Sequence, residues 1–307
     1  MEPHEVDQID RLIIDRLRAD ARASLTAIGT EVGLSADAVR VRMARLTGDG
    51  VLRVIGLVQP TSLGYHSHGG VLIDYAGPTE KLVDMVKDNP AVTFMAQLIG
   101  EATAICEITA RHDAEFAEIV SRDLATLPGV RIREVARHLS VVKWDSQARP
   151  RTTIPGTRRE PIDEVDSVLL RQLVANPRMT YRQLEAATGR PYWLVRRRAQ
   201  ALFDEGVIEA AAIVDRISIS HETRGHLSIE LAADWHPVAE QISALPGIMI
   251  VVLTTGQAAI HAEFSCGQLE QAADIVGQVA AVPGVRRVTS SLFARILVLP
   301  APWRFLP

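Results

Sequence analysis

The chain opens with three stretches whose apolar residues recur at the three- and four-residue spacing of an α-helix. They cover residues 7–19, residues 24–32, and a third stretch that runs from Ser35 to Gly48 or Gly50. Gly33 lies between the second and third stretches, where glycine can end one helix, and the Ser35 hydroxyl can cap the next. Residues 51–58 are rich in β-branched side chains and predict a strand or wing. This outline predicts a winged helix-turn-helix domain over residues 1–58.

The third stretch has two unlike faces. At 100° per residue, one side is apolar and is predicted to be buried; it carries Val39, Met43 and Leu46. Asp37 and Val41 fall on the opposite side, which Arg40 and Arg45 flank. A helix of this kind, entered through a Gly-x-Ser turn, is typical of a DNA recognition helix, and the alternative is an amphipathic helix with a solvated basic face.

Residues 59–144 alternate strand and helix patterns. The predicted strands are 69–76, 92–99, 102–109 and 130–144, with helices over 80–88 and 113–127. The resulting order, β-α-β-β-α-β, is that of a ferredoxin-like domain. Helices cover such a sheet on one face only, so the other face must pair with a second sheet or bind a ligand.

The pattern then repeats at an offset of 156 residues. Matched pairs include Asp10 with Asp166, Gly33 with Gly189, and Arg42 with Arg198. Residues 145–161 contain three prolines and predict a linker. A second winged helix-turn-helix domain is therefore predicted over 162–215 and a second ferredoxin-like domain over 216–307. The predicted fold class is α+β, with two domains of each type in tandem.

Composition narrows the classes of function. The formal net charge is −4, so any nucleic-acid binding must come from local basic patches. The two cysteines, Cys106 and Cys266, lack metal-ligand spacing and are predicted to be buried thiols. The start lacks the pattern of a signal peptide, and no apolar run approaches the length of a membrane span. A cytoplasmic protein without a membrane partner is expected.

The sequence resembles the Lrp/AsnC (feast/famine) family of transcriptional regulators. The residues that carry this resemblance are Asp10-Arg-Leu-Ile-Ile, Gly33-Leu-Ser, Val39-Arg-Val-Arg-Met-Ala-Arg-Leu, Gly50-Val-Leu and Leu63-Gly64. The β-α-β-β-α-β unit resembles the family's ligand-sensing and oligomerising domain, called RAM. The resemblance extends over nearly the whole chain, because each half resembles one complete family member. Usual members have one copy of each domain.

The resemblance implies a regulator that binds double-stranded promoter DNA and responds to a small metabolite such as an amino acid. Two fused copies imply an intramolecular pseudo-dimer, with further homo-oligomers expected. The family's sensing loop usually contains Gly-x-x-Asp, and here the aspartate is absent from both copies. In the first copy the candidate effector-binding residues are Gly100, Glu101 and Thr103.

The two recognition helices have diverged. Pro191 replaces Ser35 and removes the hydroxyl cap, and Trp193 replaces Asp37 on the outer face. The candidate DNA-binding residues are Ser35, Asp37, Arg40, Val41 and Arg45 in the first copy, and Tyr192, Trp193, Arg196, Arg197 and Gln200 in the second. Because the helices differ, the predicted target is an asymmetric site.

No catalytic residue, cofactor or metal ligand is predicted, and the chain is expected not to be an enzyme. His66 and His68 lack the further ligands that a metal site needs. Two alternatives remain. One is a relative of the siroheme decarboxylases, which resemble the same family and occur as fused pairs; for these, His138, His226 and His261 are the candidates to line a tetrapyrrole cavity. The other is an interaction module that does not bind DNA.

Overall fold

The computed structural model describes residues 6–144, 161–214 and 223–298, which form two compact units. Residues 6–62 and 161–214 make up the helix-turn-helix unit, and residues 63–144 and 223–298 make up the closed-sheet unit. Except for Pro161, the predicted linker lies outside the described residues.

The two halves of the chain have the same order of elements. In the first half these are α1 (Gln8–Ala19), α2 (Leu25–Val32), α3 (Ala36–Gly48), β1 (Leu52–Val58), β2 (Ser67–Tyr75), α4 (Thr79–Val86), β3 (Val92–Ile99), β4 (Ala104–Ala110), α5 (Asp113–Glu118) and β5 (Val130–Trp144). In the second half these are α6 (Glu164–Ala175), α7 (Tyr181–Thr188), α8 (Tyr192–Asp204), β6 (Ile208–Val214), β7 (Thr223–Leu231), α9 (Trp235–Ser243), β8 (Ile248–Thr254), β9 (Ile260–Cys266), α10 (Leu269–Ala280) and β10 (Val285–Val298).

The helix predicted over 113–127 is α-helical only as far as Glu118. It continues as a π-helical segment, Ile119–Leu124, in which Ala125 N–H donates to the carbonyl of Val120. A π turn places residues five apart on the same side of the helix. Ile119 and Leu124 are accordingly both buried, as the apolar pattern of the sequence predicts.

The turns between α2 and α3 and between α7 and α8 follow the local prediction. Gly33 and Gly189 end their helices in the left-handed conformation, with φ of 73° and 64°. The Ser35 hydroxyl accepts a hydrogen bond from Ala38 N–H at 3.2 Å, whereas Pro191 supplies no side-chain cap. In the second copy a carboxylate oxygen of Glu185 accepts from Tyr192 N–H at 3.1 Å.

The strands predicted as wings pair with each other across the two copies. β1 and β6 form an antiparallel ribbon in which Leu52 pairs with Val214 and Val58 with Ile208. Ala212 and Val214 of β6 are buried in the hydrophobic core of the first helix-turn-helix motif. The guanidinium of Arg178 donates to the carbonyls of Ala21 and Ala23 at 2.6 and 2.7 Å. The two motifs therefore share one packed unit.

In the other unit, eight strands close into one sheet. The order around the sheet is β10-β3-β4-β2-β5-β8-β9-β7, with each half contributing the four strands of a ferredoxin-like domain. The sequence predicts packing between the bare faces of two separate sheets. The structure also joins their edges, through β5 with β8 and β10 with β3. Pairing in this way leaves no strand edge unpartnered between the halves.

Strand alternation sorts the side chains of this closed sheet into two sets. Outward-facing apolar residues pack with the helices in two clusters, one containing Val71, Cys106 and Phe116, the other Leu227, Ala262 and Phe264. Their strand neighbours point inward, and many of these are polar. The inward-facing polar set includes His68, Glu107, His138, Arg224, His226, His261 and Glu263.

Candidate functional site

The outer face of α3 is exposed as predicted, but its charges are paired locally. The side chains of Asp37 and Arg40 are 82% and 64% exposed, and the Arg40 guanidinium donates to the Asp37 carboxylate. Val41, also predicted on the outer face, is 69% exposed. This face therefore presents a neutralised ion pair and an apolar side chain.

The other two arginines of α3 anchor the helix to α1. Arg42 donates to Asp7 at 2.6 Å and to Asp10 at 2.8 Å, and Arg45, predicted to contact DNA, donates to Asp10 as well. The Asp10 carboxylate is fully buried. Burying a carboxylate is costly unless cations and hydrogen bonds compensate it, so these contacts hold α3 in place.

Helix α8 has one such anchor and two free arginines. Arg198 occupies the position of Arg42 and binds Asp163 and the fully buried Asp166, the latter at 3.0 Å. The position of Arg45 is taken by Ala201. Arg196 and Arg197 are exposed and form no ion pair with any residue in the described part of the chain. The second recognition helix therefore carries more uncompensated positive charge than the first.

All five residues predicted for α8 lie together. They line a shallow surface depression of about 340 Å³, formed by Tyr192, Trp193, Arg196, Arg197 and Gln200. The Trp193 side chain is 64% exposed. Tyr192 is held edge-on to Tyr181 at 6.5 Å, with the Arg182 guanidinium 5.2 Å from its ring centre. Tyr181 and Arg182 were not predicted from the sequence, where their counterparts in the first copy are neither aromatic nor basic.

Two of the predicted effector residues already form hydrogen bonds that involve a backbone N–H group. Thr103 Oγ1 accepts from Tyr75 N–H at 3.1 Å, and Glu101 N–H donates to Ser291 Oγ at 2.9 Å. Glu101 borders a space of about 20 Å³, which suits a single water molecule. An amino acid would need this space to open, so effector binding at Gly100, Glu101 and Thr103 stays a prediction.

The interior of the closed sheet brings together the three histidines named for a tetrapyrrole. His226 and His261 pack edge-to-face with ring centres 4.8 Å apart, and His261 Nε2 lies 3.9 Å from a Glu134 carboxylate oxygen. His138 is close enough to His261 for their charges to interact. Glu107, Glu263 and Arg224 were not predicted as site residues, although period-two alternation along β4, β7 and β9 places them on the same inner face.

Burial keeps these histidines neutral. Loss of solvation, aided by neighbouring histidines, lowers the pKa of His138 to about 3 and that of His226 to about 4. The pKa of His261 is likewise held well below its usual value. In the opposite sense, burial and the nearby Glu263 raise the pKa of Glu107 to about 8.

These shifts predict that acid destabilises the closed-sheet unit. Below pH 6.5 an unfolded histidine gains a proton, whereas folded His226 gains none until about pH 4, so stability falls with pH across that window. From pH 6.5 to 5 the expected loss is about 2 kcal/mol for each such histidine. Urea unfolding at pH 7.5 and 5 should show a smaller loss for His226→Gln than for wild type.

The matched control for this prediction is His236→Gln, which changes an exposed histidine. Glu107 acts in the opposite direction, because its folded form holds the proton longer than its unfolded form, and comparing variants with wild type cancels that contribution. Equal losses for wild type and His226→Gln would show that His226 is not buried in its neutral form.

Comparisons with known proteins agree with the helix-turn-helix geometry. A family model for the AsnC-type helix-turn-helix domain matches residues 6–47. The HTH-type transcriptional regulator Ptr1 of Methanocaldococcus jannaschii is 32% identical over 104 residues, which cover 33% of this chain and 70% of that protein. The chain belongs to the Lrp/AsnC family. An uncharacterized HTH-type transcriptional regulator of Pyrococcus abyssi is 29% identical over 143 residues, or 46% of this chain and 90% of that relative.

A solved structure matches this Lrp/AsnC protein over both copies. The siroheme decarboxylase NirDL superposes with a TM-score of 0.64, covering 96% of this chain and 93% of NirDL, at 13% sequence identity. At that identity the likeness shows the fold, and it confirms the predicted fold class. It also corrects the expectation that the chain is not an enzyme, because this fold carries catalysis in NirDL.

The residues that the structure describes also bear on two other predicted absences. No helix among them has both the length and the apolarity to cross a bilayer. Within the same residues, no three His, Cys, Asp or Glu side chains are grouped as ligands for a metal ion. His68 Nδ1 instead lies 3.0 Å from the Thr109 hydroxyl.

Proposed function

We propose that this chain is a sequence-specific DNA-binding transcriptional regulator in which α8 makes the stronger electrostatic contact and α3 the weaker one. The observation that carries this proposal is the exposed face of α8, where Arg196 and Arg197 have no acidic partner among the described residues. Free guanidinium groups on a recognition helix suit phosphate oxygens and the guanine edge.

The aromatic part of α8 supports a contact with DNA as well. Trp193 is largely exposed beside the two arginines, and Tyr192 is oriented by its neighbours before any ligand binds. Apolar surface at this position suits a thymine methyl group or a sugar. On α3 the corresponding residue is Asp37, whose carboxylate is paired with Arg40 and offers DNA no apolar surface.

The test of this function is selection of binding sites from random duplex DNA with the full chain. Because α3 and α8 present different side chains, the expected product is an asymmetric site with two unlike halves. Binding to the selected site should weaken steeply as salt rises, since phosphate contacts release counterions. Recovery of no enriched sequence at low salt would overturn the proposal.

We also propose how the regulator assembles and is controlled, on the basis of its family membership. The two halves serve each other as the partners of an intramolecular pseudo-dimer, and association into larger homo-oligomers, response to an amino-acid-like effector and a cytoplasmic location stay predictions. Measurement of transcription from the selected promoter distinguishes activation from repression.

A second candidate function is a siroheme-decarboxylase-like activity, and the observation that favours it is the histidine cluster. His138, His226 and His261 come together in the interior of a fold that NirDL shares. Addition of iron-uroporphyrin III, an analogue of which is bound in a NirDL structure, tests it directly. A visible absorbance change that is lost in His138→Ala/His261→Ala would support this function, and an unchanged spectrum would exclude binding.

A further inference from the structure

The two glutamates inside the closed sheet occupy equivalent positions but have different neighbours. Glu107 on β4 and Glu263 on β9 are related by the 156-residue offset, and their charges are close enough to interact. Glu263 accepts a hydrogen bond from the Arg224 guanidinium at 3.3 Å. The residue equivalent to Arg224 is His68, and its imidazole is bonded to Thr109 instead.

Glu107 therefore lacks the cation that its counterpart has. Its carboxyl group forms no hydrogen bond or ion pair within the described residues, and only a minor part of the residue is accessible to solvent. A buried carboxyl group without a partner loses its solvation, which is consistent with the raised pKa of Glu107. The observation points to a missing positive partner.

There is room beside Glu107 because its cross-strand neighbour is a glycine. Gly70 pairs directly with Glu107, whereas in the second half His226 pairs with Glu263. A Cβ atom added to Gly70 would meet nothing nearer than His261 Nδ1 and Ile105 Cδ1, both at 3.9 Å. The His226 imidazole of one half therefore has no counterpart beside Glu107, where the space at Gly70 admits a methyl-sized group in ordinary contact with His261 and Ile105.

The remaining wall of this gap is aromatic and apolar. Phe94 pairs with Glu107 from the opposite side, and its ring lies edge-on to Phe293 at 6.3 Å. Both rings pack against an apolar cluster that includes Leu72 and Ile105. In the same region His261 is nine-tenths buried, and its Nε2 has no hydrogen-bond partner among the described residues.

We propose that this gap, the Glu107 pocket, is a binding site for an organic cation, a protonated amine that carries an apolar group. The ammonium group would take beside Glu107 the role that the Arg224 guanidinium has beside Glu263. Phe94 and Phe293 supply apolar area for its substituent, and the Phe94 ring can attract the cation, as the Phe293 ring does with the Arg224 guanidinium 5.9 Å from its centre. An anionic ligand is disfavoured because both Glu107 and Glu263 face the pocket, and the histidines around it are neutral.

The test is calorimetric titration of the full chain with benzylamine at pH 7, with benzyl alcohol as the neutral control of similar shape. Benzylammonium should bind about tenfold or more tightly than benzyl alcohol, because only the cation makes a charge-assisted contact. Titration in two buffers of different ionisation enthalpy should also show about one proton released per ligand, since Glu107 must ionise when the cation binds.

Two variants separate the pocket from other sites. Glu107→Gln should weaken benzylammonium binding about tenfold or more and abolish proton release. Gly70→Val should also weaken binding, because the valine side chain fills the gap while the Glu107 carboxyl group stays in place. A β-branched residue suits this strand position. The matched control is Glu118→Gln, which changes an exposed carboxylate paired with Arg122 and should leave binding unchanged.

Thermal unfolding of each variant checks that it is folded. If Glu107→Gln does not fold, Gly70→Val still tests the pocket. The proposal is overturned if wild type does not bind benzylammonium, or if the Glu107 and Gly70 variants bind it as tightly as wild type. No DNA or tetrapyrrole is present in the experiment, so its outcome is independent of both functions proposed above.

Discussion

Replacing both free arginines of α8, as Arg196→Ala/Arg197→Ala, should remove most of the chain's affinity for its selected DNA site. Each arginine that neutralises a phosphate contributes close to one unit to the slope of log K against log salt concentration, so the slope should fall by about two. If either arginine contacts a base edge instead, discrimination at that base pair should drop by about 1–3 kcal/mol. Fluorescence anisotropy over a series of salt concentrations measures both quantities.

The contrast with α3 makes this result specific. Arg40→Ala should weaken binding less than either single substitution on α8, because Arg40 is already paired with Asp37. Lys81→Ala/Arg122→Ala removes the same charge from exposed positions in the other unit and is the matched control. Affinity that depends on Arg40 and is indifferent to Arg196 and Arg197 would show that α3 is the principal reader.

Arg198→Ala should destabilise the second helix-turn-helix motif by about 3–5 kcal/mol, which is the usual cost of leaving one member of a buried ion pair alone. Arg198 is 12% exposed and binds the fully buried Asp166. In the first copy Asp10 has two guanidinium partners, Arg42 and Arg45, so Arg42→Ala should cost less. Urea unfolding, with hydrogen exchange of α6 and α8, measures the loss and locates it.

The chain supplies its own rescue for this substitution. Position 201 corresponds to Arg45, so adding Ala201→Arg to Arg198→Ala should return a guanidinium to Asp166 and recover part of the lost stability. The same addition in the wild-type background is the control. If Arg198→Ala costs under 1 kcal/mol, the range of surface ion pairs, then Asp166 is not the buried anion that the structure shows.

Local signals alone predicted the helix-turn-helix motifs and the order of elements. Apolar spacing marks α1 and α3, and Gly33 and Ser35 form the turn between α2 and α3 because one tolerates positive φ and the other caps a helix. The 156-residue repeat predicted the second copy. The exposure of Arg196, Arg197 and Trp193 also follows from helical periodicity, since α8 must bury Val195 and Leu202 on its other side.

Other predictions depended on partners that lie far away in the chain. Helical position placed Arg45 beside the outer face, but its partner Asp10 lies 35 residues earlier, and only the folded motif brings the two together. Likewise, fold class and family did not decide whether the protein is an enzyme, because catalysis depends on the site and not on the fold that carries it.

The sequence by itself therefore determined the elements, their duplication and the faces of the recognition helices, because these depend on the periodicity and caps of neighbouring residues. Only the tertiary structure decided which arginines stay free, how β1 and β6 join the two motifs, and how eight strands close into one sheet. The interior of that sheet was decided in the same way: strand pairing places Gly70 beside Glu107 and His226 beside Glu263. Those contacts join segments that are distant in the sequence. Their chemistry depends on how far each group is desolvated, which cannot be predicted from neighbouring residues.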